Sequence, residues 1–109
     1  MVTLRCDLHI HSNASADGHC PAEEILKTAK ARGLDAVAIT DHDTTAGALR
    51  ALSLDTDILV IPGIEVSTKD GHVLVLGTTK EYAPGKDARE TIAEAESDGC
   101  VTIIPHPFH

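Results

Sequence analysis

Apolar residues fall in short blocks divided by polar or turn-forming segments, and the spacing differs from block to block. Residues 3–10, 34–40, 58–61 and 100–104 are compact runs that read as strands. Between the first two, Ile25, Leu26 and Ala29 make the apolar stripe of a helix. Pro21 opens that helix, Glu23 and Glu24 complement its dipole, and Gly33 is placed to end it. Thr44 or Thr45 can cap a short second helix reaching about Leu52, although Gly47 weakens it. Pro62-Gly63 interrupt the third strand, and residues 64–67 resume an extended run. Lys69-Asp70-Gly71 then reads as a hairpin turn into a returning strand, 72–76. Residues 78–86 read as a loop. Asp87 and Glu90 fit a capping box for a third helix running to about Ser97 and ending at Gly99.

The order is strand-helix-strand-helix-strand-hairpin-helix-strand. Such alternation predicts an α/β fold with parallel strands and right-handed crossovers. The nearly all-apolar run 34–40 fits a strand covered on both faces. Ligands in these folds gather at the C-terminal ends of the strands. His9, His11, Asp41, His42 and His106 all fall there by this reading.

In residues 6–12, strand alternation puts Asp7, His9 and His11 on one face and Leu8 and Ile10 on the other. Two imidazoles and a carboxylate are half of a divalent-metal site. Each signal alone has a plainer meaning. A His-x-His pair is more often two solvated or hydrogen-bonded rings. Asp41 can orient a ligand or cap Thr44 and Thr45. Glu65, in a strand, would ordinarily face solvent, but beside a metal cluster its two oxygens can bridge two cations. His72 begins a strand, Asp17 precedes Gly18 in a polar loop, and His19 reads as solvated. His106 stands between two prolines that stiffen its turn. The joint order of these residues carries more weight than any one of them.

Composition narrows the picture. The chain has 109 residues, enough for one small domain. Aromatics make up 2%, so Val, Ile, Leu and Ala must build the core. The formal net charge of -8, from 9 basic and 17 acidic residues, disfavours a long nucleic acid or an anionic membrane as partner. It leaves an anionic substrate open, because bound cations reverse the local field. Three cysteines without close pairs do not suggest a disulfide framework, and a reducing cytoplasm is expected. Cys6 and Cys100 read as small core residues. There is neither a signal-peptide pattern nor an apolar run approaching about 18 residues.

Asp7-Leu8-His9-Ile10-His11-Ser12, Thr40-Asp41-His42-Asp43, Gly63-Ile64-Glu65-Val66, His72 and Pro105-His106-Pro107 resemble the successive motifs of the PHP (polymerase and histidinol phosphatase) domain. The resemblance covers essentially the whole chain. It implies part of a distorted (β/α)7 TIM-like barrel, with two or three divalent metals (zinc, manganese or iron) at the C-terminal ends of its strands. One metal would take His9, His11 and Glu65. A second would share Glu65 and add His72 and His106. A third would take Asp17 and His42, Asp17 standing where relatives often carry a His. Asp7 and Asp41 would support the ligands from behind. The implied activity is that of a metal-dependent phosphoesterase, a hydrolase in which a metal-activated water attacks a phosphomonoester, small nucleotide or oligonucleotide. No side-chain nucleophile is required.

The chain departs from the pattern in three ways. The family's last motif, an Asp-x-His near the C-terminus of the domain and after the His-Pro, does not occur in these residues. Phe108 and His109 stand where an Arg often follows His-Pro. Too few strands are present to close a barrel, which predicts an open sheet edge. Residues 1–109 are therefore read as the N-terminal portion of the domain, completed by self-association or by a C-terminal half. The alternative is a catalytically incomplete metal-binding structural or accessory module. A separate explanation is a short variant in which His19 or His109 replaces a missing ligand.

Overall fold

The computed structural model describes residues 3–15 and 18–105. The expectations placed on Asp17, His106 and His109 lie outside the described residues. In chain order the elements are β1 (Cys6–Ile10), α1 (Ala22–Ala31), β2 (Ala36–Ile39), α2 (Ala46–Leu52), β3 (Leu59–Thr68), β4 (Gly71–Leu76), α3 (Ala88–Ser97) and β5 (Val101–Ile103). They match the order of blocks along the sequence.

The strands lie in one five-stranded sheet in the order β1-β2-β3-β4-β5. β1, β2 and β3 are parallel neighbours, and β4 is antiparallel to both β3 and β5. β5 therefore runs with the first three strands. The sheet curls into half a barrel, the partial TIM-like architecture expected. β2 is buried along its whole length, as its apolar run requires.

Pro62-Gly63 does not break β3. Its first half pairs with β2 as far as Ile39↔Pro62, and its second half pairs with β4 from Gly63↔Leu76 onward. Pro62 thus stands where the strand exchanges one neighbour for the next, and a missing ladder N–H is tolerated there. Gly63 is needed for space, since a Cβ there would come within 2.7 Å of the Val75 carbonyl oxygen.

Two apolar clusters hold the layers together. Ile25, Leu26 and Ala29 of α1 and Ala48 of α2 pack on Val37 and Ile39. Ala95 of α3 packs with Tyr82 on Ile64, Val66, Val73 and Val75. α3 is capped as the sequence suggests, Asp87 accepting the Arg89 N–H at 2.8 Å. At the start of α2 the Thr44 hydroxyl accepts the Ala46 N–H at 3.2 Å, while the Thr45 side chain makes no cap and Glu81 Oε2 accepts the Thr45 N–H at 3.1 Å. The segment between β4 and α3 is a strap anchored by Tyr82, which is 2% exposed and donates its hydroxyl to Asp98 at 2.6 Å. Burial, then the Asp98 and Cys100 partners, push the Tyr82 hydroxyl well above its usual range.

β1 and β5 are the sheet's edges, and the concave face beside them is partly bare. Leu59 and Val101 are 55% and 61% exposed. Cys6, expected in the core, is exposed because it lies on an edge strand, while Cys100 is half-buried against the second cluster. All three cysteines are free thiols. Among the described residues no helix is long and apolar enough to cross a membrane.

Candidate metal centre

Glu65 sits in the middle of the sheet on β3 and is fully buried. Four imidazoles surround its carboxylate. His9 Nε2 lies 2.7 Å and His11 Nε2 2.6 Å from Oε1. His72 Nδ1 lies 3.2 Å from Oε2, and His42 Nε2 lies 3.9 Å from Oε1. The rings stand in a row, with centroids 5.0 Å apart for His9 and His11, 4.5 Å for His11 and His42, and 4.9 Å for His42 and His72. All four rings are partly exposed, so the row forms an open rim above a buried anion. Burial pushes the Glu65 carboxyl upward. The hydrogen bonds with His9 and His11, with the charges of His42 and His9, more than reverse this and leave it below its ordinary value.

The sheet explains why these residues meet. β1, β2 and β3 run the same way, so the residues at and just beyond the ends of β1 and β2 arrive at one edge. β4 runs back, so its first residues come to that edge instead, and Ser67↔His72 is the register pair. Among the described residues two ligand groupings result, both containing Glu65: His9, His11 and Glu65, and His42, Glu65 and His72. His42 stands with Glu65 and His72, and its expected partner Asp17 lies outside the described residues.

The expected alignment of Asp7 with His9 and His11 needs correction. The β1–β2 register shifts between Asp7 and Ile10. Asp7 and Ile10 consequently line the same groove against Ile25 and Ala29 of α1. Asp7 touches the site through its carboxylate, whose Oδ1 accepts the backbone N–H of His9 at 3.2 Å. Asp41 is fully buried behind the site. It accepts hydrogen bonds from the Ser12 N–H at 2.5 Å, the Ser12 hydroxyl at 2.6 Å and the Ser15 hydroxyl at 2.9 Å. The Ser15 oxygen in turn accepts the His42 N–H at 2.7 Å. Asp41 thus ties the backbone beside His11 to the backbone of His42. Ser12, Ser15 and Gly47 were not legible as parts of this hub. A Cβ on Gly47 would collide with Asp41 Oδ2 and Ser12 Oγ, so α2 carries glycine there to let the hub close. His19 is exposed and belongs to neither grouping.

The donor set suits a divalent cation. Imidazole and carboxylate ligands are shared by zinc, manganese and iron, and in each grouping the ligand atoms lie within 4.8 Å of one another. Two ligands of a tetrahedral ion bound at about 2.0–2.1 Å stand roughly 3.3 Å apart. The partly exposed His9 and His11 rings need only a slight outward shift to reach that spacing.

Comparison with known proteins points the same way. The family model for the PHP domain matches residues 7–104. An uncharacterized protein of Methanocaldococcus jannaschii is 33% identical over 117 residues, covering 96% of this chain and 68% of that protein. The phosphoribosyl 1,2-cyclic phosphate 1,2-diphosphodiesterase of Eggerthella lenta is 44% identical over 86 residues, covering 72% of this chain but 32% of its own length. A two-domain protein of Bacteroides vulgatus, described as containing a predicted PHP-like metal-dependent phosphoesterase, superposes with a TM-score of 0.68 at 24% identity. That match covers 91% of this chain and 34% of the Bacteroides chain, and it establishes a shared fold.

Proposed function

This chain belongs to the PHP domain family, and from that premise we propose that it is the metal-binding portion of a phosphoesterase acting on a phosphorylated small molecule or a nucleotide. The observation that carries the reading is Glu65, a buried carboxylate whose two oxygens face different imidazoles. Its Oε1 serves the His9–His11 side and its Oε2 the His72 side, the arrangement a bridging ligand needs. Zinc, manganese or iron would fit, two ions or three if Asp17 and His106 also contribute. Divalent cations, when bound, supply positive charge that polarises phosphoryl oxygens and activates water.

This chain's residues supply the rest. The rim of histidines is open, so a phosphate group can approach without the sheet moving. The buried face of Glu65 fixes the cluster in place, and the Asp41–Ser12–Ser15 hub holds the backbones that carry His11 and His42. The Eggerthella relative is a diphosphodiesterase of a cyclic phosphate, which supports adding phosphodiesters to phosphomonoesters as the substrate class. A cytoplasmic location fits three free thiols.

The test is metal content per chain together with hydrolysis of p-nitrophenyl phosphate and bis-p-nitrophenyl phosphate. Two or more metals, lost with hydrolysis in Glu65→Ala, are expected. Metal-free protein, or hydrolysis that survives Glu65→Ala and chelation, overturns the reading. A second reading is favoured by the bare concave face around Leu59 and Val101: a metal-binding module that needs further chain, or a second copy, for turnover. Full metal content without hydrolysis by this chain alone would select it.

A further inference from the structure

We infer that Asp43 is a positioning residue that holds the His42 imidazole over Glu65; the inference deepens the metal-centre reading above and rests on it. The parallel ladder between β2 and β3 does not stop where the regular strand does. The Glu65 N–H donates to the Asp41 carbonyl at 2.8 Å, and the Asp43 N–H donates to the Glu65 carbonyl at 3.0 Å. These two bonds form a parallel bridge between His42 and Glu65. The next rung of such a ladder would run from the Ser67 N–H to the Asp43 carbonyl. The backbone cannot supply it, because Asp43 has φ 56°, the left-handed region, and the chain turns away there toward α2. The Asp43 side chain takes the missing place: its Oδ1 accepts the Ser67 N–H at 2.8 Å.

Asp43 therefore does two things in one residue. Its backbone makes the turn, and its carboxylate continues the ladder one step past the turn. The His42 backbone is flanked by both effects and cannot move away from β3 without breaking one of them, which fixes the point from which its ring reaches Glu65. Ser67 is also the register partner of His72, so one carboxylate anchors the backbones beside both imidazoles of the second grouping. Among the described non-glycine residues, Asp43 alone has a positive φ. A left-handed non-glycine residue placed directly after a ligand is where strain is retained for function.

Three substitutions separate the two roles. Asp43→Gly keeps the turn and removes the acceptor. Asp43→Ala removes the acceptor and strains the turn. Asp43→Asn keeps an acceptor oxygen and tolerates the left-handed conformation. Two readouts are taken: the ring signals of His42 by NMR in EDTA, and zinc affinity against a chromophoric competitor. Asp43→Gly is expected to unfold no earlier than Asp43→Ala, yet to move the His42 ring signals and weaken one zinc-binding step about tenfold or more. Asp43→Asn should keep both readouts near native. Unmoved His42 signals and native zinc affinity in Asp43→Gly would overturn the inference, as would an Asp43→Asn variant no better than Asp43→Gly. Failure of the native chain to bind zinc would instead sink the metal-centre reading, and the His42 signals in EDTA would still judge Asp43.

Discussion

At the scale of single residues, Glu65 and Asp41 carry the strongest expectations. Glu65→Gln keeps the shape and removes the charge, and zinc binding should fall at least about 100-fold, read by competition with a chelator. Acid should expose the same group in the metal-free protein. A carboxyl depressed below 4.5 contributes stability above that pH and loses it as pH falls through its folded value. The stability gap between native and Glu65→Gln should therefore narrow below pH 4.5, measured by urea unfolding in EDTA. Asp41→Ala strands three buried donors from Ser12 and Ser15. A loss of about 3 kcal/mol is expected, well beyond that of one exposed hydrogen bond. His9, His11 and His42 stood out by type and by their place at strand ends, whereas Glu65 and His72 have plainer meanings by themselves and became candidates through the joint order of motifs that resembles the PHP domain. Asp7 was misplaced because strand alternation holds only in an unbroken register, and a shift between Asp7 and Ile10 has no signature in side-chain polarity. Asp43 escapes a reading of the sequence because a left-handed backbone angle is invisible in a residue that also suits an ordinary helix cap.

At the scale of elements, α1 and most strands were legible from apolar spacing, α2 and α3 from their capping residues and β4 from its turn, and the failures lie at the joints. Pro62-Gly63 reads as an interruption because proline lacks a donor and glycine lacks a side chain. In the sheet those same lacks serve the point where β3 passes from β2 to β4. Gly47 reads as a defect in α2, and its reason lies in Asp41 and Ser12, distant in sequence. Gly47→Ala should test this. Helix propensity alone favours alanine by about 1 kcal/mol, whereas forcing a methyl group into a packed site costs about 1–3 kcal/mol. Net destabilisation is expected by thermal unfolding, and a gain would mean the hub relaxes freely. The strap between β4 and α3 reads as a plain loop, because a single buried Tyr82 leaves no periodic trace.

At the scale of the whole molecule, half a barrel has two sheet edges and a concave face that its own helices do not cover. Leu59 and Val101 present bare side chains there. Replacing both by Glu should slow heat-induced light scattering and leave the unfolding midpoint nearly unchanged, since neither side chain is buried. A large drop in the midpoint would mean that something covers this face in solution. The open sheet itself was foreseeable from the count of strand-like runs. The meeting of His9, His11 and His72 at Glu65 was implied by the family resemblance, while the strand order by itself offered a rule about strand ends and the place of His42 beside the same carboxylate was not foreseen. The reversed strand β4 adds a constraint of another kind. The helices and loops that link parallel strands can change length without altering which side chains face Glu65, because each ladder sets its register anew. The turn at Lys69 and Asp70 has no such freedom, since it fixes Ser67 opposite His72. One residue gained or lost there would change the parity of β4, turning Val73 toward the carboxylate and His72 toward the helix. Across homologous chains, then, the tightest limit on length should lie in this short hairpin rather than in any of the long connections.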